Sequence, residues 1–77
     1  MNQAILFNDD LVFDEEAQAW KMSGILSGEL IQVYFHSPTL KHTTSIDNCT
    51  KYDLEEITEL WLEDNEPEHG EIHIYQP

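Results

Sequence analysis

The stretch "AWKMSGILSGELIQVYFH", residues 19–36, decides the fold. If Ser27 and Gly28 form a two-residue hairpin turn, Leu26 faces Glu29, Gly24 faces Ile31, Met22 faces Val33 and Trp20 faces Phe35. Alternate residues of a strand share a face, so Trp20, Met22, Ile31, Val33 and Phe35 line one side. Lys21, Ser23, Gln32, Tyr34 and His36 line the other, more polar side. Both arms are apolar on the same face in a single register, and that agreement predicts the hairpin.

Upstream, Asn2–Phe7 reads as a short strand, and Leu11–Asp14 as a second one joined through the turn residues Asn8, Asp9 and Asp10. Downstream, Pro38 ends the hairpin's second arm, and residues 37–50 form a polar connection that Leu40 and Ile46 pin to the core. A helix is expected to begin at Thr50, whose spacing to Asp53 is that of a capping box, and to stop before Pro67. At about 100° per residue, Leu54, Ile57, Leu60 and Trp61 gather on its apolar side. After a turn at Gly70, "EIHIY" alternates as a last strand with Ile72 and Ile74 inward. The expected class is α+β: one domain over residues 1–77, with a small, mostly antiparallel sheet of three to five strands. One amphipathic acidic helix packs on one face, in the order β-(β)-β-β-α-β.

Charge excludes several functions. The chain has 16 acidic residues, 3 lysines and no arginine, a formal net charge of −13. Binding to nucleic acid or to an anionic membrane relies on Lys and Arg, so neither is an expected direct partner. Cys49, alone, forms no internal disulfide. No apolar run reaches the roughly 18 residues of a membrane span. The start "MNQAILFNDD" has neither the basic residues nor the apolar stretch of a secretion signal, so the cytoplasm is the expected compartment.

Catalytic constellations are missing. His36, His42, Cys49, His69 and His73 show no ligand-pair spacing, and read as loop and strand residues rather than as zinc ligands. Cys49 has His42 within sequence reach but no oxyanion hole, and reads as a small buried or semi-buried filler. With 77 residues there is little room for a substrate pocket. No enzyme, cofactor or metal is expected.

The acidic residues themselves are the candidate site. Asp9, Asp10, Asp14, Glu15 and Glu16 form one cluster. The stretch from Tyr52 to Glu71 holds nine more acids and no base. Glu55, Glu59 and Glu63 recur every four residues, about 6 Å apart along a helix axis. Like charges at that spacing destabilise an isolated helix. A partner-binding array of Asp53, Glu55, Glu56, Glu59, Glu63 and Asp64, extended by the first cluster, is therefore one reading. Its partner would be a protein with a basic, nucleic-acid-binding surface, which the carboxylates enter as phosphate mimics. The other reading is a solvated acidic face. Tyr34 and Tyr75, on the less apolar sheet face, offer a further patch through which a homodimer would form.

The opening "MNQAILFNDDLVFD", followed by "AWKMSGILSGELIQVYF", resembles an uncharacterised bacterial family of small proteins, domain of unknown function 1488. The resemblance lies in Asn2–Phe7, in the Leu-x-aromatic-Asp element Leu11–Asp14, and in the hairpin strand Gly28–Tyr34. It implies an α+β fold and no catalytic residues. It covers about the first half, and a departure is expected after Phe35, where family members have a longer helical region. In size and charge, though not in motif, the chain is also similar to small phage-encoded anti-CRISPR and anti-restriction proteins that imitate DNA.

Overall fold

The structure, a computed structural model, describes residues 5–76. Ser27 and Gly28 make the predicted turn between β3 (Ala19–Leu26) and β4 (Glu29–His36). Their φ angles are 53° and 83°, both positive, as a turn matched to the strand twist requires. The register is the predicted one, with Trp20 opposite Phe35 and Met22 opposite Val33.

β1 (Ile5–Phe7) and β2 (Val12–Asp14) both pair antiparallel with β3, on opposite halves of it. The β1 expectation began at Asn2, and its first three residues lie outside the described region. Together the two short strands act as one interrupted edge strand, broken around Ser23. There the carboxylate of Asp10 stands in for the missing backbone. It accepts from Ser23 N at 2.8 Å and from Ser23 Oγ at 2.5 Å.

β5 (Glu71–Tyr75) lies on the other side of β4 and runs parallel to it, giving the sheet order β1-β3-β4-β5. A parallel partner needs a long crossover, and residues 37–70 provide it. Within it, residues expected to be loop form a single helical turn, α1 (Pro38–Lys41), capped by Ser37. The Leu40 carbonyl accepts the buried indole N–H of Trp20 at 2.7 Å. Leu40 and Ile46 both pack against the core, as expected.

The main helix, α2 (Asn48–Asp64), starts two residues before Thr50. Asp47, not Thr50, is its cap, and its Oδ1 accepts from Thr50 N at 2.8 Å. An anionic cap also meets the positive end of the helix dipole. The buried face differs from the expected one as well. Leu54, Thr58 and Leu62 are buried, Ile57 and Trp61 are partly buried, and Leu60 is 56% exposed. At about 100° per residue, Leu60 lies some 120° from Leu54 in one direction, while Thr58 and Leu62 lie about 40° and 80° from it in the other. Thr58 is tolerated there because its hydroxyl donates to the Leu54 carbonyl at 2.9 Å.

The core lies between α2 and one sheet face, with Trp20, Met22, Ile31, Val33, Phe35, Ile72 and Ile74 against Leu54 and Leu62. The opposite sheet face is left open. Leu6, Leu30 and Tyr75 are 69%, 58% and 76% exposed on it.

Candidate functional site: an acidic helix and the cleft at its end

Because the apolar stripe of α2 faces the sheet, its carboxylates face outward. Asp53, Glu56, Glu59, Glu63 and Asp64 are exposed, and Glu55 is half-buried. Their cost is not offset by the helix dipole. With the helix starting at Asn48, no acid lies in its first turn, and its last turn carries no base.

Lysine does not neutralise the ridge either. Lys51 sits in the first turn of the helix, where its ammonium donates to the carboxylate of Asp9. That contact, and more weakly Glu55, raises the Lys51 pKa. Lys21 lies 3.6 Å from Asp14. Among the described residues, none of the six α2 acids has an ion-pair partner within 4 Å.

The first acidic cluster has a different character, so the structure separates what the sequence grouped. Asp9 holds Lys51, and Asp10 completes the broken edge at Ser23. Asp14 accepts from Ala17 N at 3.2 Å and Glu16 N at 2.9 Å, closing the turn into β3. These backbone bonds, with Lys21, lower the Asp14 pKa. Partial burial pushes the Asp10 carboxyl up, but bonds from the Ser23 hydroxyl and N–H outweigh it and the net shift is down. Glu15 and Glu16 are exposed in the turn.

An open cleft of about 810 Å³ lies at the C-terminal end of α2, lined by Trp61, Glu63, Asp64, Glu66, Glu68 and Glu71 among others. The helix carbonyls at this end add partial negative charge. Asn65 Nδ2 caps one of them, the Trp61 carbonyl, at 2.9 Å. A tight hairpin positions the last two carboxylates. Glu68 and Glu71 exchange backbone hydrogen bonds of 3.0 and 2.9 Å across His69 and Gly70, which both have positive φ. Glu66, Glu68 and Glu71 are absent from the array derived from helical periodicity, because that argument stops where the helix stops. The concentration of nine acids between Tyr52 and Glu71 was the signal that included them.

The remaining candidates lie elsewhere. Cys49 is exposed on the first turn of α2, so the filler role is overturned. Two of the histidines, read from the sequence as loop and strand residues, meet on the open sheet face, with His36 Nε2 at 2.9 Å from His73 Nδ1. Burial, and then the neighbouring His73, lower the His36 pKa. No three His, Cys, Asp or Glu side chains converge on a metal-sized site among the described residues. No helix among them is long and apolar enough to cross a membrane.

In a comparison with solved structures, the chain is similar to a crystallised protein of unknown function from the domain of unknown function 1488 family of Shewanella loihica PV-4. The two are 26% identical over 96% of this chain and 94% of that one, with a TM-score of 0.68. No family model and no curated protein matches the chain. The structural likeness supports the resemblance seen in the N-terminal half and extends it through the helix and β5, so the expected departure after Phe35 is overturned. It adds nothing to the likeness with DNA-imitating inhibitors.

Proposed function

We propose that the chain is a non-enzymatic binding protein whose acidic face docks on a basic protein surface. The face comprises the outward side of α2 and the cleft at its C-terminal end. One observation carries this reading: the α2 carboxylates project outward without an ion-pair partner among the described residues, while the one lysine of the helix is held by Asp9. Folding gains nothing from that arrangement, whereas a field of one sign speeds the approach of a cationic partner. In the cleft, half-buried Trp61 beside Glu63, Asp64 and Glu66 suits an Arg or Lys side chain, through charge and ring face together.

In its sharpest form the ridge occupies a groove that otherwise holds nucleic acid, and so inhibits a DNA- or RNA-binding complex of the CRISPR or restriction kind. The test is capture of partners from lysate at low and high salt, comparing wild type with a Glu55→Gln, Glu59→Gln, Glu63→Gln variant. The variant keeps its fold and loses the salt-sensitive partner. Capture that is equal in both proteins overturns the reading.

A second reading rests on a different observation, the exposure of Leu6, Leu30 and Tyr75 on the open sheet face. A homodimer through that face covers apolar surface and keeps both acidic ridges outward. A dimer insensitive to salt in sedimentation, and dispersed by Leu30→Glu, is its signature.

A further inference from the structure

The two edges of the sheet are finished differently. On one side, β1 and β2 form an interrupted edge whose gap the Asp10 carboxylate fills. On the other, β5 bonds only to β4, and its sequence, EIHIY, has neither the proline nor the lysine that commonly blunts an edge strand. Gly70 O accepts from Gln32 N at 2.9 Å, and Gln76 N donates to His36 O at 2.8 Å. Peptide groups alternate along a strand, so Ile72 and Ile74 also turn theirs toward β4, while Glu71, His73 and Tyr75 turn theirs outward. Glu71 uses both of its groups on Glu68. The backbone N–H and C=O of His73 and Tyr75 are thus left without a partner among the described residues.

We propose that this edge docks an extended basic segment of a partner protein as an added antiparallel strand, a mode of binding that rests on the basic partner proposed above. His73 and Tyr75 each exchange a pair of N–H···O=C bonds with one residue of the segment, and those two residues are two apart along it. Their side chains lie on the open sheet face beside the His73 and Tyr75 rings, which suits apolar, β-branched residues. The residues between and outside them point to the α2 side. There the acidic cleft reaches from Trp61, Glu63 and Asp64 at the helix end to Glu71 and His73 on β5, so it follows the free edge. Arg or Lys at those alternate positions meets Glu63 and Asp64, which have no ion-pair partner among the described residues. Backbone bonds then supply affinity and the alternation supplies specificity, for a segment of about five residues that are basic and apolar by turns. A basic helix of equal charge has its backbone groups already bonded internally, and so cannot use this edge.

The experiment is fluorescence anisotropy of a labelled peptide, acetyl-Arg-Val-Arg-Val-Arg-Val-Arg-amide, titrated with the intact chain at low ionic strength. One peptide per chain is expected. In the antiparallel pairing the valine amides face β5 and the arginine amides face away. N-methylation of the valine amides should weaken binding at least about tenfold, whereas N-methylation of the inner arginine amides should change it by less than about threefold, although all three peptides carry the same charge. On the protein, Tyr75→Pro removes an outward donor and spares the β4 ladder, and should bind the peptide more weakly than Tyr75→Ala, which removes only the ring. Circular dichroism confirms that each variant is folded, and the methylated peptides test the wild-type chain without any variant. Equal affinities of the two methylated peptides, or no saturable binding, overturn the added strand. If those equal affinities fall in the Glu55→Gln, Glu59→Gln, Glu63→Gln variant, the acidic face still docks a cation and only the strand pairing is lost. A dimer in sedimentation that Tyr75→Pro disperses places a second copy on the edge and overturns the basic segment as its occupant.

Discussion

The ammonium of Lys51, in the first turn of α2, donates to the carboxylate of Asp9, 42 residues earlier in the loop between β1 and β2. The pair ties the sheet's interrupted edge to the start of the helix and leaves the acids of α2 without an ion-pair partner among the described residues. Repulsion along that ridge should therefore be visible as salt dependence. Raising NaCl from about 0.01 M to about 1 M shortens the Debye length from roughly 30 Å to 3 Å and should raise the Tm. The Glu55→Gln, Glu59→Gln, Glu63→Gln variant should be more stable at low salt, by about 0.3 kcal/mol per relieved pair, and respond less to salt. Thermal melts followed by circular dichroism decide this. Equal salt responses would show that the ridge carries no net repulsion.

The phase of α2 can be tested by one pair of substitutions. Leu62 is buried against the sheet and Leu60 is exposed. Leu62→Ala should cost about 2–4 kcal/mol, and Leu60→Ala no more than about 0.5 kcal/mol. Urea denaturation measures both, and the reverse order would place the helix in the wrong rotation.

Gly24 is required by a close approach rather than by its backbone angles. A Cβ there would lie 2.9 Å from Ile5 Cγ1 and 3.1 Å from the Leu6 carbonyl. The side chain of Ile5 is itself buried, and the carbonyl belongs to the paired strand β1, so neither yields freely. Gly24→Ala should cost about 1–3 kcal/mol, the range of an overpacked core. Removing the obstructing side chain with Ile5→Ala should return part of that loss, so the double variant is destabilised by less than the sum of the two singles.

The Asp10–Ser23 contact predicts both a mutational and a pH effect. Ser23→Ala removes the hydroxyl that joins Asn8 Nδ2 and Asp10 Oδ2, and should cost about 1 kcal/mol. The Asp10 carboxyl and the Asp47 cap both have folded pKa values below the ordinary 3.8. Their contribution is complete above that value and declines as pH falls through the lower, folded values, because the unfolded chain takes up protons first. Melts between about pH 5 and pH 2 should show this loss, with a shallower slope in Asp10→Asn. Identical slopes would remove Asp10 from the acid response.

The hairpin, the inward set of β5 and the helix–sheet layering were legible because each is a periodic pattern within one short segment. The helix phase was half legible. Leu54, Ile57 and Trp61 were placed correctly, while Thr58 escaped because a hydroxyl hides its burial until its bond to Leu54 is seen. The helix start was ambiguous, since Asp47 to Thr50 and Thr50 to Asp53 have the same capping spacing. The outward ridge was readable from its four-residue repeat. The cleft was not, because Glu66, Glu68 and Glu71 reach it through a non-helical turn.

Local periodicity was thus the sequence's own contribution: a strand repeats every two residues and a helix about every 3.6, whatever surrounds them, and a chain can display those intervals without a partner. The tertiary structure decided that β5 runs parallel to β4, that Asp10 fills the gap at Ser23, that Lys51 turns to Asp9 and that His36 meets His73. Each joins residues that are distant along the chain, and such pairings depend on how the whole core closes, which no single segment encodes.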